Sequence, residues 1–366
     1  MVRHVLGISG GKDSAALAIY MKTKYPAMQM EFYSSDTGKE LDETYELIKN
    51  LEIYLGIKIN ILKGAEDSIE DPFDHFLEMY GGYLPSSNAR WCTKKLKLEP
   101  FEKYVGTDPV VSYVGIRGDE DREGYISTKN NIQSIFPFRQ NIWSEDVIRK
   151  VLGNQNIEQC YAYMSDIEIK KQSDKFLTLL TTPLSMSFNQ ASKLKSLIDV
   201  DTRAFNQMVF SFLKTTEYPL AQETYFPLLE NEENLNRDDI FEILENSGVG
   251  VPKYYKGIGF QHKGKSGSYA RSRSGCYFCF YQQKIEWVWL YEQHPELYTK
   301  AMDYEKDGYT WMQEESLAEL INPGRIAKIK EEYIKKTQRN KDNEQSPYLQ
   351  HILVDAESDG CASCFI

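Results

Sequence analysis

The sequence predicts an α/β fold, a parallel sheet with helices on both faces and a mainly helical C-terminal part, and three observations carry that reading. Short buried-strand signals alternate with amphipathic helix signals through the first third of the chain. The first strand runs into Ser9-Gly10-Gly11-Lys12-Asp13-Ser14, a glycine turn that opens a helix. The second ends in Ser35-Asp36-Thr37-Gly38, an acidic strand end of the kind that faces ligands in an open α/β sheet.

Taken in order, the apolar runs Val2–Ile8, Met30–Ser34, Ile57–Leu62 and Val110–Ile116 read as strands, and Asp13–Lys24, Leu41–Leu55 and Lys95–Tyr104 as helices. After Pro137 the pattern turns helical, with a polar, Ser- and Thr-spotted segment from about Ser165 to Ala221. Asn322-Pro323-Gly324 opens a charged helix, and Thr337–Pro347 reads as a polar linker. The expected division is therefore a nucleotide-binding part over 1–150, a helical insertion over 151–250, a basic and aromatic part over 251–336, and a cysteine-containing tail over 337–366.

Adjacent glycines let backbone N–H groups close on an anion, and the helix start adds its partial positive charge. Ser9, Ser14 and Lys12 supply further donors, so the loop predicts a cradle for a nucleotide phosphate. It is not a Walker A loop, because the G-x-x-x-x-G-K-[ST] spacing is absent. Asp36 at the next strand end predicts a Mg²⁺ ligand, or else a cap on the following helix.

Composition limits the choices. With 41% hydrophobic residues and no apolar run long enough to span a bilayer, the chain reads as cytoplasmic, and a first strand starting at Val2 leaves no room for a signal peptide. A net charge of −11 argues against indiscriminate nucleic-acid binding. Yet Pro252 to Ile285 holds no acid at all while carrying Lys253, Lys256, Lys263, Lys265, Arg271, Arg273 and Lys284, interleaved with tyrosines and phenylalanines. Cations among aromatics suit a nucleic-acid backbone with splayed bases, and equally a small phosphorylated substrate.

Six cysteines in a large chain of this kind point to metal or sulfur chemistry rather than disulfides. Cys92 stands between Arg90 and Lys94, Lys95 and Lys97 at a helix start, where cations and the helix dipole favour a thiolate. Arg271-Ser272-Arg273-Ser274-Gly275-Cys276-Tyr277-Phe278-Cys279 adds a Cys-x-x-Cys pair. Cys92, Cys276 and Cys279 together are candidate ligands for a [4Fe–4S] cluster, with zinc or a metal-free dithiol as alternatives. Gly115, Arg117 and Arg122, in the third strand-end element, are placed to meet nucleotide or anionic substrate, with surface ion pairing as the alternative for the two arginines. Cys160 reads as a core thiol, and Cys361 and Cys364 as a pair in the tail.

Ser-Gly-Gly-x-Asp-Ser after the first strand resembles the PP-loop ATP pyrophosphatases, which split ATP between the α and β phosphates. Asp36-Thr37-Gly38 followed by Glu43-Thr44 is similar to the sulfonucleotide reductase branch of that family. That branch typically has a Cys-Cys pair where this chain has Trp91-Cys92, and its Glu-Cys-Gly-x-His tail is absent. Arg90-Trp91-Cys92-Thr93 with the later Arg-Ser-Gly-Cys-x-x-Cys looks closer to the reductase-like sulfurtransferases of DNA phosphorothioation, of the Dnd and Ssp type. The resemblance implies a Rossmann-like, adenine nucleotide α-hydrolase-like fold, ATP and Mg²⁺ as cofactors, a cysteine desulfurase as sulfur donor and DNA as acceptor. It implies that Ser9, Gly10, Gly11, Lys12, Asp13, Ser14, Asp36, Thr37, Gly38, Gly115 and Arg117 hold the nucleotide. Lys12, Asp13, Asp36 and Cys92 would carry the chemistry, and Arg90, Lys97, Arg122, Lys263, Lys265, Arg271 and Arg273 would face the substrate. A sulfonucleotide reductase and a tRNA thiolase are the alternatives.

Overall fold

The structure, a computed structural model, describes residues 1–120, 127–170 and 172–344, with side chains as far as residue 338. Strands β1 (Arg3–Gly7), β2 (Met30–Asp36), β3 (Asn60–Lys63), β4 (Val110–Tyr113) and β5 (Ile132–Ile135) form one parallel sheet in the order β3-β2-β1-β4-β5. β1 is central, with Val5 paired to Glu31 on one side and to Ser112 on the other. The chain winds outward both ways, so the order reverses between β1 and β4, and the loops after those strands border a crevice. β5 was not expected from the sequence: Gln133 and Ser134 break its apolar run, yet all four of its residues are buried.

α1 (Lys12–Lys24) is buried from Lys12 through Met21, because it is overlaid by α2 (Asp42–Leu55) and by α10 (Arg237–Asn246). Its alanines at 15, 16 and 18 permit that close approach. α2 stops at Gly56, whose φ of 72° is the left-handed conformation a helix end favours. α3 (Pro72–Met79) precedes an uninterrupted helical run made of α4 (Trp91–Thr93), a π turn over Lys94–Leu98 and α5 (Glu99–Val105). The helix expected from Lys95 thus starts earlier and changes register. The Glu99 N–H bonds to the Lys94 carbonyl five residues back, and Pro100 has no N–H with which to restore α-helical pairing to Leu96.

The polar segment from 165 to 221 holds α8 (Ser173–Thr181) and α9 (Gln190–Leu213), which follow α6 (Glu145–Val151) and α7 (Ile157–Tyr163), and Leu197, Phe205, Met208 and Val209 of α9 join Leu6, Ile8, Val111 and Ile135 of the sheet region in one core. α9 bends at Asp201, whose carboxylate accepts from the N–H groups of Ala204 (2.9 Å) and Lys170 (3.0 Å). Cys160 lies wholly inside this core, where burial pushes its thiol up to about 11.

β6 (Ile258–His262) and β7 (Lys265–Tyr269) make a hairpin that also lay outside the sequence reading. Its two turn residues, Lys263 and Gly264, both have positive φ (48° and 74°), as a two-residue hairpin turn requires. α11 (Lys284–Gln293), α12 (Pro295–Met302), α13 (Leu317–Leu320) and α14 (Pro323–Glu344) complete the described fold. α14 corrects one expectation: its helix continues to Glu344 through the stretch read as a linker from Thr337, since Lys, Arg, Gln and Glu are good helix formers when little else decides. A second, aromatic core joins Phe73, Phe76, Trp91 and Leu96 from the N-terminal part to Phe278, Trp287, Trp311 and Tyr298 from the C-terminal part. This core brings the Cys-x-x-Cys turn to the sheet edge.

Candidate active site

Ser9 to Ser14 form a closed, buried turn at the end of β1. Ser9 Oγ and Ser14 Oγ lie 3.1 Å apart, and the Gly11 N–H points at Ser9 Oγ (3.4 Å). Gly10 has φ +71°, and a β-carbon there would fall 2.2 Å from Thr44 Cγ2, so position 10 admits only glycine on two counts. Gly11 has an ordinary φ of −92°, but a β-carbon would sit 2.6 Å from Ser274 Oγ. The later segment of the chain thus lies directly on the loop. Tyr254 donates its hydroxyl to the Gly10 carbonyl (3.1 Å), and the Tyr255 hydroxyl accepts from the Lys12 N–H (3.3 Å). The Lys12 ammonium stands 5.2 Å above the Tyr255 ring. Burial, with the Asp13 charge nearby, pushes the Tyr255 phenol up to about 12.

Across the crevice, Asp13 and Arg117 form a buried pair. Arg117 Nη1 lies 2.9 Å from Asp13 Oδ1, while the Lys12 ammonium is 3.2 Å from Asp13 Oδ2. Arg117 also meets Asp119 (2.9 Å) and Glu120 (2.7 Å). At 2% exposure and among three carboxylates, Arg117 ties the β4 loop to the start of α1. Gly115 serves the same closure, since a β-carbon there would come within 2.9 Å of the Asp13 carbonyl oxygen. Arg122 lies outside the described residues, as do Cys361 and Cys364.

The end of β2 carries the second half of the site. Asp36 Oδ1 accepts from the Gly38 N–H (2.9 Å) and the Tyr45 hydroxyl (3.0 Å), and Oδ2 faces Lys63 at 3.5 Å. Thr37 donates to Glu40 (2.7 Å), and its oxygen is 3.2 Å from Cys276 Sγ. The Tyr277 N–H bonds to the Lys39 carbonyl (2.9 Å), while the Phe278 ring stacks on Trp311 (4.7 Å) and packs on Phe73 (4.5 Å). Buried residues between the two cysteines therefore anchor the turn. Burial pushes the thiols of Cys276 and Cys279 above the usual range, with Glu40 adding to the effect at Cys276. Lys97 opposes it at both, and Arg273 and Arg271 at Cys279. Cys92 packs against the same aromatic core from α4. Among the described residues, no group of three or more His, Cys, Asp or Glu side chains is gathered closely enough to hold a metal ion.

The basic residues divide. Arg90 and Arg273, from distant motifs, converge on the Tyr281 ring at 5.2 and 5.9 Å. Arg271 is 2% exposed, its guanidinium near the rings of Tyr254 and Trp289 and one amino group bonded to the Cys276 carbonyl (3.1 Å). It supports the turn from within and is not presented to a backbone. Lys263 pairs with Glu331 on α14 (2.8 Å), and Lys265 is exposed at the hairpin tip. Tyr254, Tyr255, Ser274 and Thr44, which touch the loop, are not among the site residues the sequence predicts; Thr44 and Ser274 lie in motifs it singles out, and the two tyrosines in the acid-free stretch.

A parallel sheet of this order, with a glycine loop at the reversal point and a thiol turn above it, defines an α/β protein of Rossmann-like architecture. Residues 3–166 match the model of the phosphoadenosine phosphosulfate reductase domain. The chain is similar to two uncharacterized proteins of Methanocaldococcus jannaschii. One is 31% identical over 153 residues, 38% of this chain and 30% of that protein; the other is 27% identical over 172 residues, 43% and 39% respectively. It is also similar to an uncharacterized nin region protein of Escherichia phage lambda, 27% identical over 145 residues, 32% of this chain and 49% of that one. The chain thus spans less than half the length of each of these relatives. Among the described residues no helix is long and apolar enough to cross a membrane.

Proposed function

We propose that the protein is an ATP-dependent sulfurtransferase that adenylates an acceptor oxygen, releases pyrophosphate and inserts sulfur, with the DNA backbone as acceptor. One observation carries the reading: the Cys-x-x-Cys turn sits on the phosphate loop, Ser274 over Gly11 and Cys276 against Thr37. ATP would lie over residues 9–14, its phosphates taking the loop N–H groups and the Lys12 ammonium. Asp36 would offer one carboxylate to Mg²⁺, which asks little more of a protein when phosphates and water fill its shell. The acceptor oxygen attacks the α-phosphorus and pyrophosphate leaves; the outer sulfur of a Cys276 persulfide, loaded by a cysteine desulfurase, then attacks the activated acceptor and expels AMP. The Cys279 thiol next attacks the Cys276 sulfur, releasing the acceptor's new thiolate and leaving a Cys276–Cys279 disulfide that an external dithiol reduces. Charge neutralisation and positioning lower both barriers. Arg90, Arg273 and Lys97 would hold the acceptor's phosphates beside the thiols.

Cys92, Cys276 and Cys279 are the ligands we propose for a cluster, or for zinc. In this conformation they form no three-ligand group.

The match of residues 3–166 to a phosphoadenosine phosphosulfate reductase domain supports a second reading, a sulfonucleotide reductase. Incubation with ATP, Mg²⁺ and nucleic acid separates them. Pyrophosphate release is expected; sulfite formed from a sulfonucleotide without ATP turnover would replace the first reading by the second. Tracing sulfur from labelled cysteine into DNA or RNA then tells a DNA acceptor from tRNA.

A further inference from the structure

The donor that a phosphate needs at the start of α1 already has an occupant. The Lys12 N–H, the first helical amide after the glycine turn, gives its hydrogen to the Tyr255 hydroxyl (3.3 Å), and that tyrosine is almost fully buried. Neighbouring contacts make the arrangement a unit. Tyr254 holds the Gly10 carbonyl and packs on Tyr255 at 4.6 Å, and the Lys12 ammonium lies over the Tyr255 ring. Ser274, within hydrogen-bond reach of the Tyr255 phenol, rests on Gly11 and points its hydroxyl at the Ser9 carbonyl (3.5 Å). Two residues further on is Cys276.

A neutral phenol oxygen is a weaker acceptor than a phosphate oxygen, because charged acceptors make hydrogen bonds of roughly twice the strength. We propose that Tyr255 is a gate on the phosphate loop: its hydroxyl fills the Lys12 amide site in the absence of nucleotide, yields it to a phosphate oxygen, and in moving shifts Ser274 and with it the Cys276 turn. Nucleotide occupancy is thereby signalled to the thiols, so sulfur is exposed only when an activated acceptor can form. The inference rests on the reading of residues 9–14 as an ATP site.

The test uses the full chain, with Mg·ATP and with pyrophosphate as probes. Tyr255→Phe keeps the ring, its packing and its place under the Lys12 ammonium but removes the competing oxygen. Loss of one neutral hydrogen bond predicts that the variant binds Mg·ATP about fivefold more tightly by calorimetry. In the unsubstituted protein, adding Mg·ATP should change the alkylation rate of Cys276, followed by peptide mass spectrometry; in Tyr255→Phe, which has no hydroxyl for a phosphate to displace, adding Mg·ATP should leave that rate unchanged. Equal or weaker binding by the variant overturns the gate while leaving the ATP site standing, and so does a Cys276 rate indifferent to nucleotide. Failure of both proteins to bind either probe removes the ATP reading and the gate together.

Discussion

Thr37 Oγ1 lies 3.2 Å from Cys276 Sγ, joining the end of β2 to a turn 239 residues further along the chain. The Thr37 hydroxyl donates to Glu40, and turned toward Cys276 instead it donates to the sulfur once the thiol has lost its proton. The contact fixes where sulfur chemistry would occur, at the carboxyl edge of the sheet. It also bears on reactivity, because burial raises the thiol and the Thr37 hydroxyl partly offsets that rise.

Thr37→Val, nearly isosteric, removes that offset. Cys276 should then alkylate about fivefold more slowly near pH 8, the size expected for one lost hydrogen bond. A pH–rate profile of alkylation, read peptide by peptide, checks it; an unchanged profile would mean that the hydroxyl does not act on the sulfur.

The Gly11–Ser274 approach makes a second prediction with an internal control. Gly11→Ala has no backbone cost at φ −92°, so its damage should come from the 2.6 Å collision with Ser274 Oγ. Mg·ATP affinity should fall about tenfold or more, and Gly11→Ala/Ser274→Ala should recover most of it, since Ser274 Cβ would remain 3.5 Å away. If the double variant binds no better than the single one, crowding by Ser274 is not what the glycine avoids.

The Ser9–Ser14 turn between β1 and α1 could be read from the sequence because six contiguous residues in strand and helix context define it, and the central strands because their apolar runs are unbroken. Tyr254, Tyr255 and Ser274 could not, since pairings such as Tyr254 to Gly10, 244 residues apart, leave no periodic trace. β5 was hidden by Gln133, whose side-chain oxygen accepts from the Leu220 N–H (3.1 Å), a partner supplied by a distant segment. Arg271 illustrates the reverse error: a cation in a basic stretch reads as surface until the aromatics beside it, Tyr254 and Trp289, prove to enclose it.

For Arg117 the sequence leaves two readings, contact with a nucleotide or anionic substrate and ion pairing at the surface; its geometry is ion pairing with Asp13, Asp119 and Glu120, in the interior. Arg117→Ala would leave Asp13 and Glu120 buried without the guanidinium between them. Breaking a buried pair in this way should lower unfolding stability by about 3–5 kcal/mol in urea titrations. A stability loss under about 1 kcal/mol together with lost Mg·ATP binding would return Arg117 to ligand contact.

Metal content is separable from nucleotide chemistry. In the proposed reading Ser9–Ser14 and Asp36 hold Mg·ATP without a thiol ligand, so Cys276→Ser should still release pyrophosphate when ATP, Mg²⁺ and nucleic acid are supplied, yet transfer no sulfur. Iron and labile sulfide in anaerobically purified protein, both lost in Cys276→Ala, would show that the three thiols come together around a cluster; stoichiometric zinc without iron would refute the cluster. Loss of pyrophosphate release in Cys276→Ser would show that the thiol and the loop act in one step rather than two.

The C-terminal helices should show a defined acid sensitivity. Glu315, only 10% exposed at its side chain, is held at about 2 by its hydrogen bonds to Arg325 and Lys284. A carboxyl lowered on folding stabilises the protein fully above its ordinary value near 4.5, and that stabilisation disappears as pH falls toward 2. Glu315→Gln should therefore cost about 2 kcal/mol at pH 7, allowing for partial solvent screening, with the difference from the unsubstituted protein closing between pH 4.5 and 2. Denaturant titrations across that range measure it. A difference independent of pH would mean that Glu315 acts by packing rather than by charge, and that α14 is not tied to the aromatic core through this pair.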